Sequence, residues 1–404
     1  IKAGTVTLTA KTETATGTAS YPVTDDKLTG TVTFTGCEMG TYLILIENGY
    51  KVYTPSVINL TPEFDRTSNE WKLPDSMVVT VKATNPQVTK TVTDTAKNKD
   101  NYSTKDVIPF TIVADIPTYL TGSLSKTYKV GDTLSNGLKL DDSTIKVYGQ
   151  KGSGDPVELT KTTDYTSSVT GTTAFEIDFK YDQIKNYDKV RITYSASLEK
   201  ETATNIGGAG NTNTAKLTYS NNPYVADSTQ TQETTNTVFT YGAEITKTDK
   251  TSGESLTGAE FELTKDSNKL YFVKTADGVY YQANSSDTGA TTTLVVDNNG
   301  KLNIFGLDEG TYSLTEKKAP AGYNKATESK EIKIADANLD GALDDETGST
   351  GIYKLTFPNT KGFQLPVTGG AGTVAFVAGG VVFVGLGIAL LVIAIKKGKK
   401  VNEK

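Results

Sequence analysis

The residues of this chain that could do chemistry are lysines, asparagines and acids set at strand spacing. In "AEITKTD", Ala243, Ile245 and Lys247 recur with period two and share one face of an extended strand. In "KLTFPNT", Leu355, Phe357 and Asn359 do the same, and so do Tyr312, Leu314 and Glu316 in "TYSLTEKKAPAGY". An amine, a carboxamide and a carboxyl are therefore each expected to follow apolar residues inward. Burying charges unpaired is expensive, so the placement needs a reason. A desolvated lysine loses its proton readily and becomes a nucleophile. A buried Glu has its pKa raised, and its protonated form can polarise an amide carbonyl and shuttle protons. Lysine amine and asparagine carboxamide then give an isopeptide bond and ammonia. The plainer reading is a buried Lys–Glu pair with an Asn beside it.

A second set repeats the pattern. "QVTKTVT" places Val88, Lys90 and Val92 on one face, and "AKLTYSNNP" does so for Leu217, Tyr219 and Asn221, where parity favours Asn221 over Asn222. "YKVGDTLSNGL" aligns Tyr128, Val130 and Asp132 with Leu134, while Phe175, Ile177 and Phe179 take the inward face from Glu176 and Asp178. Lys82 differs. In "MVVTVKA", Val79 and Val81 are expected inward, which turns Lys82 to solvent.

The elements that must hold these groups are strands. Alternating β-branched and aromatic residues recur in "GTVTLTA", "TGTVTF", "MVVTVKA", "AKLTYS" and "YKLTF", separated by Thr, Gly and Asp-rich turns. That period-two pattern predicts an all-β chain of tandem immunoglobulin-like β-sandwiches. Composition breaks at 82–87 and 220–236 divide it, the second reading as a polar linker. The expected units are 1–83, short for such a domain and so hinting at missing N-terminal residues; 84–226; and 227–362, linker included. Residues 363–404 follow as a tail. The chain begins at Ile1 without Met, so a processed or truncated N-terminus is expected.

Composition excludes several function classes. There is no His, which removes Ser-His-Asp and Cys-His catalysis and imidazole-based metal sites. A net charge of −6 gives no basic face for nucleic acid. The single Cys37 cannot form an internal disulfide and reads as a small apolar residue. "DANLDG" (Asp336, Asn338, Asp340, Gly341) starts like a calcium loop, but Thr347 occupies the twelfth position where a bidentate Glu is needed; an acidic, solvated loop is expected, with no metal and no cofactor.

The tail is specific. Leu365, Pro366, Val367, Thr368 and Gly369 precede an uncharged run over 371–395, long enough to span a membrane as a helix, and then "KKGKK". This three-part arrangement resembles the LPXTG cell-wall sorting signal of Gram-positive surface proteins. The resemblance implies that a membrane sortase cuts between Thr368 and Gly369. "YSLTEKKAPAGY" is similar to the E-box of Cna-B-type pilin domains. "FTIVADIP", "ITYSASL" and "YSNNP" resemble the fimbrial isopeptide-forming domain of shaft pilins. The chain as a whole resembles the major pilins of sortase-assembled Gram-positive pili. That resemblance implies Lys90–Asn221 and Lys247–Asn359 cross-links, with Asp132 and Glu316 as the catalytic acids. It also implies Lys82 as the intermolecular acceptor, at the place of a pilin motif that "TVKATN" matches imperfectly. Implied partners are further copies of the chain, pilus-class and housekeeping sortases and peptidoglycan, and the resemblance admits a host surface ligand. The competing class is a wall-anchored adhesin or minor pilin.

Overall fold

The computed structural model describes residues 37–44, 51–80, 82–92, 97, 99–201, 204–344, 351–362 and 387–388, and the backbone alone of 7–9, 14–16, 18–20 and 31–33. The sorting signal and the apolar run, including the membrane helix expected there, lie outside the described residues apart from Gly387 and Ile388. Among the described residues no helix is long and apolar enough to cross a membrane.

Near the N-terminus the strands form short antiparallel pairs. These are β1 (Thr7–Thr9) with β2 (Thr14–Thr16), and β3 (Thr18–Ser20) with β4 (Thr31–Thr33). Further along, β5 (Gly40–Ile44) pairs with β7 (Ser56–Leu60), and β8 (Glu63–Asp65) with β9 (Glu70–Lys72). Last, β6 (Val52–Tyr53) pairs with β10 (Ala83–Thr84). The strand expected through "MVVTV" does not form: residues 73–80 join no sheet, and Val78 is 89% exposed. β-branched residues favour a strand only when cross-strand neighbours are there to pack against. Lys82 is therefore placed by the β6–β10 pairing: its carbonyl accepts the Thr54 amide at 2.8 Å, and the residue is exposed.

The second unit is a two-sheet sandwich. One sheet runs in the spatial order β11 (Val88–Val92), β13 (Val107–Asp115), β19 (Lys189–Leu198), β15 (Leu138–Gln150), β16 (Val157–Glu158). The facing sheet runs β12 (Lys99–Asn101), β21 (Thr229–Phe239), β20 (Asn211–Ser220), β14 (Tyr128–Leu134), β18 (Ala174–Phe179), β17 (Tyr165–Thr170). Inward residues alternate as the pattern predicts: in β14, Tyr128, Val130, Asp132 and Leu134 are all buried. In β18, Phe175, Ile177 and Phe179 are buried, and Glu176 and Asp178 lie outside as ion-pair partners of Lys129.

The polar segment 220–236, expected as an interdomain linker, is a turn followed by β21. That strand pairs with β20 in unbroken register from Asn211↔Val238 to Ser220↔Thr229. Its first seven residues are exposed or half-buried, so their Thr and Gln content reads as linker while their backbone completes the sheet. The boundary expected after 226 accordingly moves. The second core runs to Val238, and the third begins with Phe239.

In the third unit, one sheet has the order β27 (Ala290–Thr291), β25 (Tyr271–Ala276), β26 (Val279–Ala283), β29 (Lys301–Leu307), β22 (Tyr241–Asp249), β32 (Ile352–Asn359). The other runs β24 (Asn268–Lys269), β23 (Glu260–Lys265), β30 (Gly310–Lys318), β31 (Lys330–Ile334), with β28 (Leu294–Val295) added on β23. The first and last strands, β22 and β32, lie side by side and parallel, with Lys247 opposite Phe357 and Asp249 opposite Asn359. The two units join through backbone at close range. Gly207 (φ +61°) abuts Gly351, where any side chain on Gly207 would stand 2.4 Å from the Gly351 Cα. Asn101 and Glu309 exchange two hydrogen bonds of 2.9 Å across the same junction.

Candidate functional site

Two clusters, one per sandwich, bring an amine, an acid and an amide together in a dry core. In the third unit the parallel β22–β32 pair sets Lys247 and Asn359 two positions apart on the same face, and β30 of the facing sheet supplies Glu316. All three are at most 3% exposed. The Lys247 ammonium lies 3.8 Å from Glu316 Oε1, donates to the Phe357 carbonyl at 2.9 Å and sits over the Phe357 ring. Asn359 Nδ2 donates to Glu316 Oε2 at 2.9 Å and to the Asn324 carbonyl at 2.8 Å. The Ala326 amide, donating to the same Oε2 at 2.7 Å, holds the carboxyl in place. Asn359 Oδ1 and Glu316 Oε1 have no hydrogen-bond partner. Buried polar atoms in a folded core are almost always paired, so these two are the unsatisfied acceptors of the cluster, Oε1 being the oxygen that faces the Lys247 ammonium.

Burial pushes the Lys247 amine down to about 8, and the Glu316 charge only partly opposes this. About a tenth of the amine is then neutral at pH 7, enough to supply a nucleophile. A stability effect follows in a chain that cannot cross-link. In Asn359→Ala, Lys247 is deprotonated near 8 when folded but near 10.5 when unfolded. Between those values the unfolded state binds more protons, so stability rises with pH, by up to about 1.4 kcal/mol per unit. Thermal melts from pH 7 to 10 should show this rise, and adding Lys247→Met should flatten it. A flat profile in the single variant would mean that the amine is not desolvated.

In the second unit, β11 carries Lys90 across to Asp132 on β14 of the facing sheet. Lys90 Nζ donates to Asp132 Oδ1, and both side chains are completely buried. Burial lowers the Lys90 amine to about 8 and raises the Asp132 carboxyl, each shift partly offset by the other's charge. The Tyr194 hydroxyl on β19 donates to Asp132 Oδ2 and accepts from Asn213 Nδ2 at 2.7 Å. Asn213 is fully buried, and its Oδ1 has no partner.

The structure does not bring Asn221 to this cluster. Asp132 lies opposite Ala215 in the β14–β20 register, and Asn221 is six residues further on, past the end of β20. At about 3.3 Å per residue that is roughly 20 Å away. Asn221 instead accepts from Ser228 Oγ at 2.8 Å in the following turn. Asn213, opposite Leu134 and two residues before Ala215, is the amide beside the acid. Parity could not separate the two, since 213, 215, 217, 219 and 221 all share one face. The signal was in the register, which depends on where β14 pairs. Asn236 faces Asn213 across the β20–β21 ladder and is also buried, but it lies one strand further from Asp132.

The remaining expected residues are separate from these clusters. Lys82 is exposed near the β6–β10 pair. Leu365, Pro366, Val367, Thr368 and Gly369 lie outside the described residues. Cys37 is half-buried and free. The Asp336 carboxyl is taken up by the fold, accepting from the Tyr241 hydroxyl at 2.8 Å and from the Gly341 and Asp340 amides at 2.7 and 3.1 Å.

Comparison with known proteins agrees with this architecture. Residues 104–223 match the Gram-positive pilin backbone subunit 2, Cna-B-like domain, 242–347 a prealbumin-like fold domain, and 358–402 the LPXTG cell wall anchor motif. The trypsin-resistant surface T6 protein of Streptococcus pyogenes serotype M6 is 26% identical over 270 residues, 62% of this chain but 46% of that relative's length. The chain thus spans about half of the curated relative it matches. In fold it is similar to the three-domain T6 backbone pilin of serotype M6 Streptococcus pyogenes, with a TM-score of 0.61 at 20% identity over 84% of this chain and 83% of that one. It is similar also to the group B streptococcus pilus 2b backbone protein, with a TM-score of 0.51 at 25% identity over 68% of this chain and 98% of that one. A Gram-positive pilin-backbone domain, a prealbumin-like domain and an LPXTG cell wall anchor motif thus follow one another along the chain.

Proposed function

We propose that the chain is joined head to tail into a shaft by a sortase, with the Thr368 carboxyl passed to the Lys82 amine, and that each later sandwich is locked by its own isopeptide bond. The observation that carries the second part is the pair of dry amine–acid–amide clusters. In the third unit, Lys247 first yields its proton to Glu316. The neutral amine then attacks Asn359 Cγ. The acid, 2.9 Å from Nδ2, protonates the departing nitrogen and then, ionised again, takes the surplus proton from the new amide nitrogen. One C–N bond forms, one breaks and ammonia leaves. The same balance holds for Lys90, Asp132 and Asn213. This chemistry is single-turnover and self-directed, so the chain is not an enzyme. No cofactor enters it, and the Asp336–Asp340 loop is structural. The proposed units are an N-terminal domain to about residue 84, a fimbrial isopeptide-forming domain to Phe239, a Cna-B-type domain from Tyr241 to 362, and the sorting signal.

Because β22 and β32 are the first and last strands of their unit, tension entering at one end would cross the Lys247–Asn359 bond without unzipping the sheet. Head-to-tail contacts that do not close on themselves give a filament. Intact mass of the purified full chain tests the cross-links: it should fall below the sequence mass by two ammonias. Asn213→Ala should remove one of these losses, and Asn221→Ala neither. A mass equal to the unmodified sequence would sink the isopeptide reading. A loss that survives Asn213→Ala but not Asn236→Ala would move the second-unit partner one strand over.

A further inference from the structure

The two clusters solve the same chemical problem with acids of different length. In the third unit Glu316 touches the departing nitrogen itself, through the 2.9 Å contact between Oε2 and Asn359 Nδ2. In the second unit the acid is Asp132, one methylene shorter. No hydrogen bond joins it to Asn213 among the described contacts. The gap is filled by Tyr194, whose hydroxyl donates to Asp132 Oδ2 and accepts from Asn213 Nδ2. We propose that Tyr194 is a catalytic residue of the second unit, relaying the proton from Asp132 to the amide nitrogen that leaves. This rests on the cross-linking reading above, with Asn213 as the partner.

The steps balance. Lys90 gives a proton to Asp132, leaving a neutral amine and a neutral acid. The amine attacks Asn213 Cγ. The protonated carboxyl turns about its Cβ–Cγ bond, bringing the proton received from Lys90 to face Tyr194, which takes it while passing its own hydroxyl proton to Nδ2. The C–N bond to Nδ2 breaks and ammonia departs. Asp132, now ionised, takes the surplus proton from the new amide nitrogen through the oxygen that faces the Lys90 side. Asp132 ends neutral, and Tyr194 is unchanged.

The surroundings fit a relay and not merely a filler. Tyr194 is 2% exposed, its ring stacked on Phe110 at 5.4 Å and edge-on to Phe175 at 5.1 Å, so the hydroxyl is fixed to within the play of a packed core. Burial and the neighbouring Asp132 charge push its ionisation well above the ordinary tyrosine value, so it stays a neutral phenol that can both accept and donate. β19 holds it from the sheet opposite β14 and β20, so it reaches between acid and amide across the core.

The test follows ammonia loss by intact mass in the full chain during cell-free synthesis, quenched at intervals. Tyr194→Phe keeps the ring and its stacking. It should form the third-unit bond at the normal rate and the second-unit bond at least about a hundredfold more slowly, the usual loss when a positioned acid–base group is removed. Lengthening the acid in the same chain, Asp132→Glu with Tyr194→Phe, should restore much of the rate, because the carboxyl then reaches the nitrogen as Glu316 does. A merely structural tyrosine would not be rescued this way. Normal second-unit kinetics in Tyr194→Phe overturns the relay, as does no recovery in a double variant whose second unit resists protease. Asn213→Ala separates the two readings. If the second-unit bond survives it, the assignment of the partner fails and the relay with it. If that variant loses the bond while Tyr194→Phe keeps it, the relay alone fails.

Discussion

Glu316→Ala is expected to yield a folded chain lighter than its sequence by one ammonia instead of two, with the third unit melting roughly 20 °C lower. In the proposed reaction the acid does two jobs in the buried core: it takes the Lys247 proton and delivers one to Asn359 Nδ2. Alanine can do neither. The bond it governs closes a loop of roughly a hundred residues, and loop entropy of the kind that applies to disulfides assigns such a tie on the order of 4–5 kcal/mol. At about 4 °C per kcal/mol, where the ranges for smaller and larger domains meet, the melting shift follows. Part of the loss has another source, since removing Glu316 also leaves a buried amine unpaired. Asn359→Ala isolates the tie, because it abolishes the bond and keeps the pair. Asp132→Ala should do the same for the second unit only, since each acid works inside its own core. Two ammonia losses in Glu316→Ala would move the role to another carboxyl.

Lys82→Ala is expected to abolish the ladder of covalent oligomers that a pilus-class sortase makes, while leaving internally cross-linked monomers that still reach the wall. Lys82 is exposed, and its backbone is fixed by the Thr54 hydrogen bond beside the β6–β10 pair. A sortase thioester needs such an amine, free of the core but held in place. Lys90, eight residues on, is excluded by its burial. Tryptic peptides of assembled fibres should contain Lys82 joined to the Thr368 carboxyl. Fibres that persist without Lys82 would shift the acceptor to another lysine. Lys72 is then the first to examine, although it is engaged with Asp65 at 3.2 Å. If no ladder forms with Lys82 and the sortase both present, the wall-adhesin reading becomes the better account.

Sequence alone determined which faces the strands bury. Period-two alternation put Lys247, Glu316 and Asn359 inward, and Lys90 with Asp132, because side chains alternate strictly along a strand and apolar neighbours fix the phase. It also marked the class of the tail, which rests on local composition. Pairing was beyond it. Asn213 and Asn221 have the same phase on one strand, and only the register of β20 against β14 decides which of them meets Asp132. The strand that reads as linker at 229–236 is polar because it faces solvent for most of its length, so its place in the sheet shows only in its backbone hydrogen bonds. Tyr194 is one of many alternating aromatics in the sequence. Its role depends on three strands from two sheets meeting at one point, and that is a property of tertiary structure alone.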